Sequence, residues 1–154
     1  MSATTSFNPS SHPQKPAISR AMDHVGRLLK ISLPNTLAVI NVTEKGVHPR
    51  VFDQLVKLGF PKNDLLWVIP PRTLKHRVDK NQHLNSLETE RLIRAAKLYA
   101  LAIEVMGGKE EARQWLRKSR RVFGGSSALK LMQTESGANM VEETLCQIDA
   151  GYFT

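Results

Sequence analysis

Residues 85–108 read NSLETERLIRAAKLYALAIEVMGG, and this stretch decides the fold. Asn85 and Glu88 have the spacing of a capping box, in which the Asn85 side chain accepts from the Glu88 N–H and the Glu88 carboxylate reaches back. Beyond the cap, Leu92, Ala96, Tyr99, Ile103 and Met106 step four, three, four and three residues, an apolar stripe about four turns long. Glu90 and Arg94 stand four apart, an ion-pair spacing that adds about 0.3 kcal/mol to a helix. Gly107-Gly108 then stops it. The rest of the chain is read outward from this helix.

Downstream, a helix of about ten residues is expected over Lys109–Lys118, carrying Ala112, Trp115 and Leu116. A Gly124-Gly125 loop leads to a short helix near Ala128–Met132. Thr134 caps a last helix in which Ala138, Val141, Leu145 and Ile148 step three, four and three. Gly151 ends it, leaving Tyr152-Phe153-Thr154 beyond. Upstream, Arg72–Lys80 reads as a short helix with Leu74 and Val78 on one face. Pro70-Pro71 separates it from a helix over Pro61–Val68 that holds Leu65, Leu66 and Trp67. Phe52, Leu55, Val56 and Leu58 form one amphipathic turn pair closed by Gly59. Residues 31–46, with Leu37, Val39, Ile40 and Val42, suit a short strand or a helical continuation, and periodicity does not choose between them. Met22, Val25 and Leu29 place a helix over Ile18–Lys30. Residues 1–17, with three Pro and four Ser, read as a disordered leader. No β-sheet emerges, and the class is all-α.

The chain has 154 residues, 41% of them hydrophobic and 23% charged, enough for a core under a soluble surface. No apolar run is long enough for a membrane span. The polar start lacks a signal peptide, and the single Cys146 cannot form an internal disulfide, which points to the cytoplasm. The net charge of +8 is uneven. Residues 1–80 carry 12 Lys/Arg against 5 Asp/Glu, whereas after Lys130 only Glu135, Glu142, Glu143 and Asp149 are charged. A basic front favours a polyanion and an acidic end favours a basic partner, with plain solubility the competing reading.

Helix, tight turn and helix around Pro70-Pro71, with cations outward, is the layout of a helix-turn-helix. On that reading Arg72, Thr73, Lys75, His76 and Arg77 face DNA; a solvent-facing helix would be charged in the same way. Enzyme readings find no support. The five histidines lack metal-ligand spacing, Gly124-Gly125-Ser126-Ser127 lacks the Gly-Lys-Ser/Thr ending of a phosphate loop, and no nucleophile has a base. No catalytic residue, metal or cofactor is expected. The Gly-Tyr-Phe-Thr ending either folds back on the core or enters a pocket in another molecule, and from these residues alone folding back is favoured.

The second half resembles the toxin-binding domain of the MbcA/ParS/Xre antitoxins. The resemblance runs through Trp115-Leu116, Phe123-Gly124-Gly125, Leu129-x-Leu131-Met132, Thr134-Glu135-x-Gly137, Val141-Glu142, Leu145 and Ile148-x-x-Gly151-Tyr152-Phe153. Upstream, Arg72-Thr73-Leu74 and Leu84-x-x-x-Glu88-Thr89-Glu90-Arg91-Leu92 are similar to the family's Xre-like helix-turn-helix region. The resemblance covers roughly residues 50–154 and adds nothing to residues 1–45. With the leader read from composition over 1–17, the chain divides into a helix-turn-helix region over 18–106 and a toxin-binding domain over 107–154. The resemblance implies a RES-type, NAD-consuming toxin as partner, operator DNA as a second partner, and a homodimer that represses its own operon. The toxin's NAD pocket would be covered by Glu142, Glu143, Asp149, Gly151, Tyr152, Phe153 and Thr154. The competing reading is a plain helix-turn-helix regulator whose C-terminal helices dimerise or sense a ligand.

Overall fold

The computed structural model describes residues 15–152, and every regular element among them is helical. Eight α-helices follow in order: α1 Ala17–Leu29, α2 Thr36–Lys45, α3 Phe52–Lys57, α4 Pro71–Asp79, α5 Ser86–Met106, α6 Lys109–Arg117, α7 Ala128–Leu131 and α8 Glu135–Asp149. An isolated bridge between Ser119 and Ser127 is the nearest approach to β-structure among the described residues. Of the leader expected over 1–17, residues 1–14 lie outside the described residues. Ala17 opens α1 and is itself buried.

The organising element is α5. Both bonds of its capping box are present, Asn85 Oδ1 accepting from Glu88 N–H at 2.8 Å and Glu88 Oε2 accepting from Asn85 N–H at 3.1 Å. Gly107 closes it at φ 87°, a left-handed conformation that glycine adopts without penalty. The burial is wider than the sequence stripe. Ile93, Ala95, Leu98, Ala100, Leu101 and Ala102 are buried along with Leu92, Ala96 and Tyr99, while Ile103 and Met106 are half-buried. A helix apolar all round must be covered all round, and α5 packs against α1, α2, α3, α6 and α8. Phe60 stacks on Tyr99 with centroids 3.6 Å apart.

Two expectations are settled differently by the structure. Residues 31–46 form neither a strand nor a continuation of α1. Lys30 turns left-handed at φ 53°, Pro34 follows, and Asn35 starts a new helix by accepting from Ala38 N–H at 2.9 Å. The expected helix over Pro61–Val68 is instead a single 3-10 turn, Lys62–Leu65. There the Asp64 carbonyl accepts from Trp67 Nε1–H at 3.0 Å, and the Leu65 carbonyl accepts from Val68 N–H three residues on. These tighter bonds hold Leu65, Val68 and Ile69 in the core and leave Leu66 exposed. No described helix is long and apolar enough to cross a membrane.

The C-terminal helices pack as the capping residues anticipate. Ser127 caps α7 and Thr134 caps α8, its hydroxyl oxygen accepting from Gly137 N–H at 3.1 Å. Gly137 meets a steric limit: a Cβ there would sit 1.9 Å from the Leu131 carbonyl oxygen. Glycine-to-alanine changes inside helices normally stabilise by about 1 kcal/mol. Here the sign should invert. Gly137→Ala is expected to lower the urea midpoint more than Thr134→Ala, whose lost cap costs about 1 kcal/mol.

Candidate functional site

Two surfaces carry the residues singled out in the sequence. The first is α4. Pro70 precedes it in an extended conformation and Pro71 occupies its first turn, where a missing N–H costs nothing. Arg72, Lys75 and His76 are exposed, so three of the five expected DNA-facing side chains point to solvent. Thr73 is half-buried. Arg77 is engaged within the molecule: its Nε–H and Nη2–H donate to the two Glu88 oxygens at 3.2 and 2.9 Å. The partner carboxylate also closes the α5 cap, so Arg77 ties α4 to α5. Because Pro61–Val68 is one 3-10 turn, the helix before Pro70 in the expected layout is absent, and α3 is the helix that precedes α4. Lys62 lines a cleft with Lys75, bringing a cation to this surface that the helical reading of 61–68 did not single out.

The second surface is formed by α8 and the loop before α7. Ala138, Val141 and Leu145 are buried, and α8 rests on α5 and α7. Glu142 lies against α5, where its carboxylate pairs with Lys97 Nζ at 2.5 Å. Glu143 and Asp149 are exposed. The helix ends in a Schellman motif: Gly151 N–H donates to the Ile148 carbonyl and Tyr152 N–H to the Gln147 carbonyl, each at 3.0 Å. Gly151 takes φ 84°. This turn directs Tyr152 outward with 80% of its surface exposed, so the tyrosine does not fold back on the core. Phe153 and Thr154 lie outside the described residues. Met140 and Val122, each nearly half exposed, add apolar area that sequence reasoning passed over. Met140 could have been noticed, because it stands off the Ala138–Val141–Leu145 stripe.

Electrostatics on this side are set by packing. The Cys146 thiol is pushed up from its ordinary range, first by burial and then by Glu142 and Asp149, with Lys97 opposing. A thiol held protonated is a poor nucleophile. No cluster of three or more His, Cys, Asp or Glu side chains suited to a metal occurs among the described residues. Trp115 meets Phe123 edge to face at 5.9 Å, fixing the loop that follows α6.

Comparison with known proteins adds the following. Residues 101–151 match the family described as the antitoxin Xre/MbcA/ParS C-terminal toxin-binding domain. A Pseudomonas putida protein named Antitoxin Xre is 40% identical over 85 residues, covering 55% of this chain and 54% of the relative. That match therefore spans about half the length of the relative. A Yersinia enterocolitica protein of the same name is 24% identical over 147 residues, covering 93% of this chain and 97% of its own. The family match begins inside α5 and ends at Gly151, so it takes in α6, α7, α8 and the glycine of the Schellman turn, and stops before Tyr152.

The Arg77–Glu88 pair separates a structural cation from solvent-facing ones. Arg77→Ala should destabilise the fold by about 2 kcal/mol, since it strips charged hydrogen bonds from a buried carboxylate. Lys75→Ala should stay within about 0.5 kcal/mol of the parent. Chemical denaturation of the two variants checks the contrast.

Proposed function

We propose that the chain is a member of the MbcA/ParS/Xre antitoxin family and that it neutralises a RES-type, NAD-consuming toxin by covering the toxin's NAD pocket. It acts as a binder and not as an enzyme. The observation that carries the reading is the end of α8: an acidic helix whose Schellman turn presents a solvent-exposed tyrosine. A pocket that holds a pyrophosphate needs cations. Glu143 and Asp149 suit the rim of such a pocket, and Tyr152 offers it an aromatic face. Gly151 sets the direction in which Tyr152 leaves the helix. Glu142 supports the same surface from behind by holding α8 against Lys97.

We assign residues 107–154 to toxin binding and 18–106 to operator binding, the latter by a homodimer that represses its own operon. Support for the second role comes from Arg72, Lys75 and His76 on the open side of α4, with Lys62 beside them. Cations so placed can neutralise phosphates, and arginine can pair with a guanine edge. Arg77 and Thr73 contribute by positioning α4, the first through Glu88 and the second from its half-buried place on the helix.

Removal of residues 151–154 tests the toxin-binding role. Cells that co-express the shortened chain and the toxin should lose NAD and stop growing, while the shortened chain keeps its helical circular dichroism. Unchanged protection would overturn the pocket-covering reading. For the operator, Arg72→Ala and Lys75→Ala should each reduce the slope of log affinity against log salt by about one. Loss of DNA binding with toxin binding intact would separate the two surfaces, and a chain that binds DNA but no toxin would be a plain regulator.

A further inference from the structure

Arg120 stands apart from the other arginines of the C-terminal half. It precedes the 3-10 turn Arg121–Phe123, and its backbone is fully used by the loop: the N–H donates to the Ser126 carbonyl at 3.1 Å, and the carbonyl accepts from Phe123 and Gly125. The side chain lies over Trp115, with the guanidinium carbon 4.7 Å from the ring centroid. Its Nε is buried and has no hydrogen-bond partner. Arg113 Nε is likewise buried without a partner, but other nitrogens of that guanidinium reach Glu110 and the Gly59 carbonyl. Arg94 pairs with Glu90 and the Gln133 carbonyl, and Arg117 with Asp64, whereas no nitrogen of the Arg120 side chain has a partner among the described residues. Burial lowers the affinity of Arg120 for its proton, which marks a cation partly stripped of water.

The guanidinium lines a cleft of about 340 Å³ whose walls are Trp115, Val122, Thr144 and Ile148, with Arg121 beside it. A desolvated cation without a counter-charge is costly, and stacking on an indole does not neutralise it. A planar guanidinium whose face rests on a ring keeps its edge free for a bidentate acceptor. Apolar walls suit the methylene stem of an acidic side chain. The cleft has room for an acidic side chain together with its backbone, and the acidic α8 alongside disfavours a nucleic-acid backbone. Ile148 belongs to the last turn of α8, one turn before Tyr152, so the cleft is continuous with the surface proposed for the toxin.

We propose that this cleft is a carboxylate receptor, in which a Glu or Asp side chain of the bound toxin inserts beside Trp115 and pairs with Arg120. The assignment rests on the antitoxin reading for the source of the carboxylate, though not for the chemistry of the cleft. The interface thereby becomes two-signed. The α8 end meets cations on the toxin, and Arg120 meets an anion, which fixes orientation as well as attraction.

Two measurements on the full chain test it. In the first, N-acetyl-glutamic α-amide, which carries one side-chain carboxylate, is titrated while the Arg120 Nε–H and Trp115 indole N–H are followed by NMR. Both signals should move with the probe and not with the glutamine analogue, and in Arg120→Met the remaining Trp115 signal should be silent to the probe. In the second, toxin affinity is measured for the parent, Arg120→Lys and Arg120→Met, with thermal unfolding confirming that the variants fold. Methionine should weaken the complex at least tenfold, and lysine, which keeps the charge and loses the fork, should fall between. A silent probe, or an Arg120→Met complex within twofold of the parent, overturns the proposal while a parent complex leaves the antitoxin reading standing. A responsive probe with no parent complex removes the toxin as the carboxylate's source and the antitoxin reading with it.

Discussion

Everything in this molecule is arranged around the need to hide the middle of α5. From Leu92 to Ala102 that helix presents apolar side chains in nearly every direction, and each exposed Å² would cost about 25 cal/mol. Small residues decide how the cover is built. Ala95, Ala96, Ala100 and Ala102 let neighbouring helices approach closely, while Leu98, Tyr99 and Leu101 fill the space between them. The covering helices come from both sides in sequence, α1, α2 and α3 before it and α6 and α8 after it. The DNA-facing and toxin-facing surfaces proposed above are therefore two outer faces of one core.

Polar contacts then fix the register of the cover. Arg94 reaches from α5 to the Gln133 carbonyl in the turn before α8 and lies 6.0 Å from the Trp67 ring. Arg20 joins α1 to Glu104 of α5 at 2.9 Å, and Arg117 joins α6 to Asp64 of the 3-10 turn at 2.7 Å. Partly exposed pairs of this kind contribute little stability individually, typically below about 1 kcal/mol. Their value lies in direction. Each links segments far apart in sequence, so sliding α1, α6 or the turn before α8 out of register would break one of them.

The ends of α5, α8 and α4 were legible in the sequence because caps are local: Asn85 with Glu88, Thr134 with Gly137, and Pro71 act within one turn. The all-round burial of α5 was not, since alanine carries too weak a signal to mark a face and the larger residues drew one stripe. Residues 31–46 were ambiguous because Val39, Ile40 and Val42 suit strand and helix alike; Asn35 and Pro34 resolve them. The segment Pro61–Val68 reads as a helix from sequence because Pro61 suits a first helical position and Leu65, Leu66 and Trp67 follow it. What tightens it is remote, the Asp64 carboxylate held by Arg117 from α6. The residues proposed to face a toxin come from the resemblance, and the structure separates them into Glu142, engaged with Lys97, and Glu143, Asp149 and Tyr152 in solvent. Arg120 could not be read in advance, because its distinguishing property is a missing partner in space.

The sharing of α5 also bears on how such a gene can change. Recombination favours joints between units that carry their own interiors, and here the helix that ends at the proposed break between regions is covered from both. A crossover within codons 86–106 would join an α5 sequence to a cover evolved for another one, leaving voids or clashes along its length. Exchange of the operator-facing part between lineages would thus have to carry all of α5 with it, or none. Point substitution on the outer surfaces remains open, so the surfaces proposed for DNA and for a toxin can drift separately while their common interior is inherited as a block.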